Sequence, residues 1–230
     1  MRRERQVLLI DADDTLWEEN LHFEQAIDAY VALVSPLGYP PEHVRRTLDL
    51  AERRNILQRG YGAWSFALTL EEVYVELAGE RADQAQVEGI RQVARRLQEE
   101  PRQLYDGVAE TLAYLVPRHR LFLFTKGHAA EQGRKVEMSG LQAFFETCAV
   151  VSEKNESTYR ALLDGRRLES RGVWMVGNSP RSDINPALAA GMNAVYIPSA
   201  RVWEFEHEEI RAGAGELLRL TSFRELQEHF

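Results

Sequence analysis

The chain has 230 residues, of which 44% are hydrophobic and 28% are charged, and its net charge at pH 7 is −8. These values are typical of one large folded domain, or of a core domain with a smaller one, and they exclude a disordered chain. The acidic balance argues against nucleic-acid or anionic-membrane partners, and no apolar stretch approaches a membrane span. Because the start lacks a secretory apolar run and Cys148 is the single cysteine, we expect a cytoplasmic protein.

The first predicted element is a strand over Val7–Ile10. Its apolar run is continuous rather than alternating, as is typical of a strand that is buried on both faces of a parallel sheet. The run ends in the polar sequence DADDT, which begins at Asp11 and ends at Thr15. Within it, Asp14 is interpreted as a loop or helix-cap residue.

The stretch from about Leu16 to Leu104 shows no strand pattern and predicts a helical insert. The predicted helices are Asn20–Val34, Pro41–Gln58, Leu70–Ala78 and Gln84–Glu99. Tyr61 lies between two glycines in a loop of this insert, and such a loop can close over a substrate. We expect Trp64 and Phe66, which follow it, to pack between helices.

Four further apolar runs follow the insert, and helical patterns separate them. The strands are predicted at Leu121–Phe124, Cys148–Val151, Val173–Val176 and Ala194–Ile197, and the helices at Ala109–Leu115, Ala129–Met138, Glu156–Leu163 and Pro186–Ala190. This alternation is the pattern of a doubly wound α/β sheet. Cys148 lies in one of the runs and is expected to be a core residue.

Polar residues follow the predicted strands at the edge where parallel sheets bind ligands. They are Asp11 and Asp13 after the first strand, Thr125, Lys126 and Gly127 after the second, Lys154 after the third, and Asn178 and Asp183 after the fourth. Only three of the 28 basic residues are lysines, namely Lys126, Lys135 and Lys154. A lysine is therefore a rare choice in this chain, and its position carries information.

This ordered set of motifs resembles the haloacid dehalogenase-like (HAD) superfamily, in particular subfamily I with a C1-type helical cap. The resemblance covers the whole chain and implies a Rossmann-like three-layer α/β/α core with a parallel sheet. The core would comprise residues 1–16 and 104–230, and the inserted helical cap would comprise residues 17–103.

The resemblance also implies roles for the residues at the strand ends. Asp11 would be the nucleophile that forms an aspartyl-phosphate, and Asp13 the general acid and base. The Thr125 hydroxyl and the backbone N–H groups of Lys126 and Gly127 would hold the phosphoryl oxygens. Lys154 would offset the charges of the nucleophile and the phosphate. The candidate substrate contacts are Lys126 and Gly127, together with Trp17 just past the DADDT segment and Tyr61 in the loop of the insert.

The fourth motif departs from the family pattern. Asn178 stands where the family usually has an acidic metal ligand, while Asp183 keeps the second acidic position. An amide oxygen can still bind a hard cation, although one negative charge is lost. We therefore expect an Mg2+ site formed by Asp11, the backbone oxygen of Asp13, Asn178 and Asp183.

The expected function is the Mg2+-dependent hydrolysis of a small phosphomonoester. An acid at position 13 favours phosphate esters, because the family's dehalogenases have no acid there and a carbon–halogen bond needs no leaving-group protonation. Two alternatives stay open: a phosphomutase of the same family, and a catalytically silent phosphate-binding protein. The expected partner is a small phosphorylated metabolite, with no nucleic acid and no membrane, and the protein would be a monomer or a homodimer.

Overall fold

The computed structural model describes residues 5–201, 203 and 206–230. A six-stranded parallel sheet forms its centre, with the strands in the order β3-β2-β1-β4-β5-β6. The strands are β1 (Val7–Ile10), β2 (Arg120–Lys126), β3 (Thr147–Val151), β4 (Val173–Gly177), β5 (Asn193–Tyr196) and β6 (Leu217–Arg219). The chain thus forms the expected Rossmann-like α/β fold.

The helices divide between two compact units. One unit runs up to Asn20 and resumes at Arg102, and it contains the sheet with α5 (Val108–Leu115), α6 (Ala129–Ser139), α7 (Glu156–Arg166), α8 (Asn185–Ala189) and α9 (Leu226–His229). The other unit, Leu21–Pro101, contains α1 (Asn20–Val34), α2 (Pro41–Arg59), α3 (Ala63–Ala78) and α4 (Gln84–Glu99), of which α1 begins one residue before the division. The role of this helical unit as a cap stays a prediction.

The two faces of the sheet explain why its strands are continuous apolar runs. Successive side chains of a strand point to opposite faces. Accordingly, Leu8 and Ile10 of β1 pack in one apolar cluster with α5, α6 and α9, while Val7 and Leu9 pack in a second cluster with α7 and α8. Both faces are covered by helices, so all four residues are buried, as expected for a parallel sheet.

The edges of the sheet differ from the sequence-based expectation. Among the described residues, strand β3 lies at one edge of the sheet and pairs with β2 alone. Cys148 of this strand is exposed. The prediction that it is a core residue was wrong, because an apolar run does not reveal whether its strand lies at an edge. Strand β6 was not predicted, since it has only three residues and ends in an exposed arginine. The other predicted strands are confirmed to within two residues at each end.

The helical unit has an apolar core of its own. Helix α3 begins at Ala63, seven residues before its predicted start, because Gly62 ends the preceding loop and Phe66 already faces the interior. Phe66 is buried as expected, but Trp64 is 54% exposed, so its predicted packing was wrong. No helix of the described residues combines the length and the apolar character that crossing a membrane requires.

Candidate active site

The carboxylates of Asp11 and Asp183 meet the Lys154 ammonium at the carboxyl end of the sheet. Lys154 Nζ lies 2.5 Å from Asp11 Oδ1 and 2.7 Å from Asp183 Oδ1. All three side chains are almost completely buried, with exposed fractions of 2% for Lys154, 9% for Asp11 and 1% for Asp183. The structure therefore brings together three of the predicted site residues in one buried ion-pair cluster.

Burial and charge oppose each other at this cluster. Burial raises the pKa of the Asp11 carboxyl to about 7, although the nearby Lys154 lowers it. Burial alone would lower the pKa of Lys154, but its attraction to Asp11 and Asp183 outweighs that cost and raises the pKa. Lys154 is thus held as a cation between two buried acids.

Asp13 lies next to Asp11 but has different partners. Lys135 Nζ donates to both of its carboxylate oxygens at 2.8 Å, Gln132 Nε2 donates at 2.7 Å, and Trp17 Nε1 donates at 2.8 Å. Burial would raise the pKa of Asp13, but Lys135 and the other two hydrogen bonds lower it below its usual range. Asp11 and Asp13 are therefore paired with different cations, Lys154 and Lys135.

Thr15 joins the ends of β1 and β4. Its hydroxyl lies 3.0 Å from Asp11 Oδ2 and 3.3 Å from Asn178 Oδ1, and the backbone N–H of Asp11 donates to the Val176 carbonyl at 2.9 Å. Asn178 therefore lies close to the predicted nucleophile. Thr15 was not among the predicted site residues, although its place at the end of the DADDT segment was a usable signal.

The loop after β4 packs tightly around Asp183. Its Oδ2 accepts the backbone N–H of Ser179 at 3.0 Å, within a turn formed by Pro180–Ile184. Gly177 permits this arrangement, because a Cβ atom at that position would lie 2.2 Å from Asp183 Oδ2. Both carboxylate oxygens of Asp183 thus accept hydrogen bonds, one from Ser179 and one from Lys154.

Lys126 follows the buried Thr125 at the end of β2. Its Nζ lies 2.6 Å from Glu206 Oε1 and 3.0 Å from the Ser182 hydroxyl. Glu206 also accepts hydrogen bonds from the hydroxyls of Ser179 and Ser182. Sequence reasoning missed Glu206, since it is 80 residues from Lys126 in the chain and belongs to no recognisable motif.

The other predicted substrate contacts, Trp17, Gly127 and Tyr61, lie in different parts of the structure. Trp17 is completely buried, and its backbone forms isolated β-bridges with Asp13 and Leu104. Its contact with the site is the hydrogen bond from its indole N–H to the Asp13 carboxylate. Gly127 has a φ of +142°, and a Cβ there would lie 2.9 Å from Gln132 Nε2. Tyr61 lies between α2 and α3 in the helical unit, and its contact with substrate stays a prediction.

Asp14 has the loop role that was expected of it. It adopts a left-handed backbone conformation with φ 58°, and its carboxylate accepts the backbone N–H groups of Glu19 and Asn20 where α1 begins. Burial raises its pKa to about 7 even though these hydrogen bonds lower it. Asp14 therefore shapes the turn that follows Asp11 and Asp13.

Asp11, Asp183 and Lys154 thus meet at the carboxyl edge of a parallel sheet, which is where open α/β sheets bind their ligands. A family model described as haloacid dehalogenase-like hydrolase matches residues 8–197. The chain belongs to the haloacid dehalogenase-like hydrolase family.

Solved structures agree with this membership. A haloacid dehalogenase-like family hydrolase from Xanthomonas campestris is 31% identical over 98% of this chain and 90% of that chain, with a TM-score of 0.85. A 2-haloacid dehalogenase from Pseudomonas syringae pv. Tomato shares the fold with a TM-score of 0.66 and 19% identity over 98% of this chain and 97% of that chain. The magnesium-bound HAD-hydrolase YfnB from Bacillus subtilis also shares the fold, with a TM-score of 0.66 and 19% identity over 98% of this chain and 99% of that chain. No curated protein matched the sequence.

Proposed function

We propose that the protein is a Mg2+-dependent hydrolase of small phosphomonoesters that acts through phospho-Asp11. The observation that carries this proposal is the carboxylate of Asp13, two residues after Asp11 and held beside it by Lys135. Cleavage of an ester P–O bond leaves an alkoxide that needs a proton, whereas a departing halide does not. A positioned acid at residue 13 therefore favours phosphate-ester chemistry.

The proposed reaction has two displacements. A carboxylate oxygen of Asp11 attacks phosphorus, and the proton of Asp13 moves to the leaving oxygen as the ester bond breaks. Water then attacks the phosphorus of phospho-Asp11 and gives a proton to Asp13. The Thr125 hydroxyl and the backbone N–H groups after β2 would hold the phosphoryl oxygens, and Lys154 would balance the charge of the incoming phosphate.

The donor atoms at this edge suit a hard cation. Asp11 Oδ2 and Asn178 Oδ1 both lie within 3.3 Å of the Thr15 hydroxyl, and Mg2+ is usually bound by one or two carboxylates, waters and substrate phosphate. Among the described residues, no group of three or more His, Cys, Asp or Glu is arranged to hold a metal. Asp11, Asn178 and the Asp13 backbone oxygen would hold Mg2+, with Asp183 beside them, and the ion would neutralise phosphoryl charge.

The amide at position 178 leads to a prediction about Mg2+. Because an amide oxygen carries only a partial charge, we expect the wild-type protein to need a high Mg2+ concentration, and Asn178→Asp to lower the half-maximal concentration severalfold. The measurement is an Mg2+ titration of activity, together with calorimetric Mg2+ binding with and without a phosphate analogue. An unchanged Mg2+ requirement in Asn178→Asp would mean that residue 178 does not contact the ion.

A 2-haloacid dehalogenase is the second candidate function. Asn178 favours this candidate, because an amide in place of an acidic ligand weakens a metal site and a dehalogenase would not need the metal. Halide displacement by Asp11 also requires no proton donor. The Pseudomonas syringae relative with this activity in its name shares only the fold. In a dehalogenase, the Asp11 carboxylate would displace halide from carbon and water would release the hydroxy acid from the ester.

One paired assay separates the candidates. The protein is incubated with p-nitrophenyl phosphate and Mg2+, and separately with 2-chloropropionate, while phosphate, nitrophenol and chloride release are measured. Phosphate release that depends on Mg2+ supports the proposal, and chloride release without metal supports the dehalogenase. A screen of phosphorylated metabolites then identifies the ester, and acceleration by a bisphosphate product would indicate the phosphomutase. Inactivity in both assays would leave the silent phosphate-binding protein.

A further inference from the structure

Lys135 takes no part in the proton and phosphoryl transfers of the proposed reaction. It lies on α6, three residues after Gln132, and both side chains reach the carboxylate of Asp13. Residues three apart on a helix share a face, so α6 presents an amide and an ammonium to the same acid. The Lys135 side chain is only 9% exposed, which excludes a solvated surface lysine.

Four N–H donor contacts reach the two carboxylate oxygens of Asp13. Oδ1 accepts from Trp17 Nε1 and Lys135 Nζ, and Oδ2 accepts from Gln132 Nε2 and Lys135 Nζ, all between 2.7 and 2.8 Å. An ionised carboxylate has about four lone-pair sites, so four N–H contacts suit it, and one of these contacts must break when Asp13 takes up a proton. The arrangement matches the carboxylate, and it fixes the orientation of both oxygens.

Lys135 also forms an ion pair with a second carboxylate, that of Glu19. Its Nζ lies 3.1 Å from Glu19 Oε1, and Arg102 Nε lies 2.5 Å from Glu19 Oε2. The side chains of Glu19 and Arg102 are only 6% and 5% exposed. The ammonium of Lys135 therefore lies between the carboxylates of Glu19 and Asp13. With Arg102 these residues form a row of ion pairs in which positive and negative charges alternate.

We propose that Lys135 is a positioning residue that, through its contacts to both carboxylate oxygens, orients the Asp13 side chain for proton transfer from the attacking water, so that it acts mainly on the breakdown of phospho-Asp11. This inference rests on the proposed phosphatase function. Lys135 acts through Asp13 and does not touch the phosphoryl group. Gln132 and Trp17 fix the same carboxylate but supply no charge.

The proton balance identifies the half-reaction that needs this ion pair. When the ester bond breaks, Asp13 gives its proton to the leaving oxygen and becomes a carboxylate. Water then forms a bond to phosphorus, the bond from phosphorus to Asp11 breaks, and the water proton passes to Asp13. Inorganic phosphate leaves, Asp11 is again a carboxylate, and Asp13 carries the proton for the next turnover. The intermediate is thus the state in which Asp13 is ionised beside Lys135.

The test is a rapid-quench experiment with p-nitrophenyl phosphate, whose leaving group needs little protonation. Lys135→Met removes the charge but keeps an unbranched side chain, and we expect phosphoenzyme breakdown to slow by roughly ten- to a hundredfold, a part of the factor of about 10²–10⁴ that general base catalysis supplies. Nitrophenol should therefore appear as a burst, and the quenched protein should show the mass of an added phosphoryl group.

Two variants serve as comparisons. Arg134→Met makes the same change at the neighbouring exposed position of α6 and should show no burst, and Lys135→Arg should recover part of the breakdown rate because it keeps the charge. If Lys135→Met slowed formation and breakdown of the phosphoenzyme equally, or accumulated none while Arg134→Met stayed active, the positioning role would be refuted. Absence of phosphate release from the wild-type protein would instead refute the proposed function.

Discussion

Replacing Asp11 by asparagine is expected to reduce phosphate release by on the order of 10⁴-fold or more, which is the scale of effects seen when a nucleophile is removed. An amide is a much poorer nucleophile than a carboxylate, yet it has nearly the same size and can still accept hydrogen bonds from Lys154 and Thr15. The measurement is steady-state hydrolysis of the best phosphate ester, with mass spectrometry of the quenched protein.

The comparison variant for this prediction is Asp164→Asn, which makes the same change at an exposed position of α7. It should keep full activity, and both variants should retain the circular-dichroism spectrum of the wild-type protein. Substantial hydrolysis by a correctly folded Asp11→Asn protein would exclude the covalent mechanism, because no phosphoenzyme could then form at residue 11.

Replacing Lys154 by methionine is expected to lower the free energy of unfolding by about 3–5 kcal/mol near neutral pH, because removal of one partner leaves buried charge uncompensated. The charges concerned are those of Asp11 and Asp183, which Lys154 contacts at 2.5 and 2.7 Å. Chemical denaturation at several pH values measures the change. Activity should be lost as well, since the same ammonium balances the phosphate.

The stability loss in Lys154→Met should depend on pH. Without the cation, which lowers the pKa of Asp11, burial raises that pKa further above its unfolded value, so the folded state binds more protons than the unfolded state. Stability is then highest in acid and falls as the pH rises through the folded-state pKa of Asp11. The deficit should therefore be smaller at pH 5 than at pH 8, and Asp183→Asn in the same protein should relieve part of it. An equal loss at both pH values would mean that the lost stability comes from packing.

The fold was predictable because its signals are local. Continuous apolar runs and intervening helical patterns predict five strands. The rule that ligands bind at the carboxyl ends of parallel strands predicts that Asp11, Lys154 and Asp183 lie close together. The edge position of β3 was not predictable in this way, because neighbours in a sheet depend on strand order. The exposure of Cys148 follows from that order and from nothing in its own segment.

The partners of the site residues were beyond sequence reasoning for a different reason. Lys135 is 122 residues from Asp13, and Glu206 is 80 residues from Lys126, so neither pair forms a spacing that a motif could record. Gln132 and Lys135 read as ordinary polar positions of a helix, and only the packing of α6 against the sheet shows which acid they meet. The rarity of lysine was the one sequence signal that bore on Lys135.

The confinement of lysine to buried ion pairs has a practical consequence for chemical labelling. The side chains of Lys126, Lys135 and Lys154 are only 13%, 9% and 2% exposed, and the other 25 basic side chains are arginines, which amine-reactive reagents do not modify. Acylating reagents will thus find almost no reactive lysine side chains on the surface. The rate at which a lysine does become acylated will report the opening of the ion pairs around the site rather than the properties of the surface.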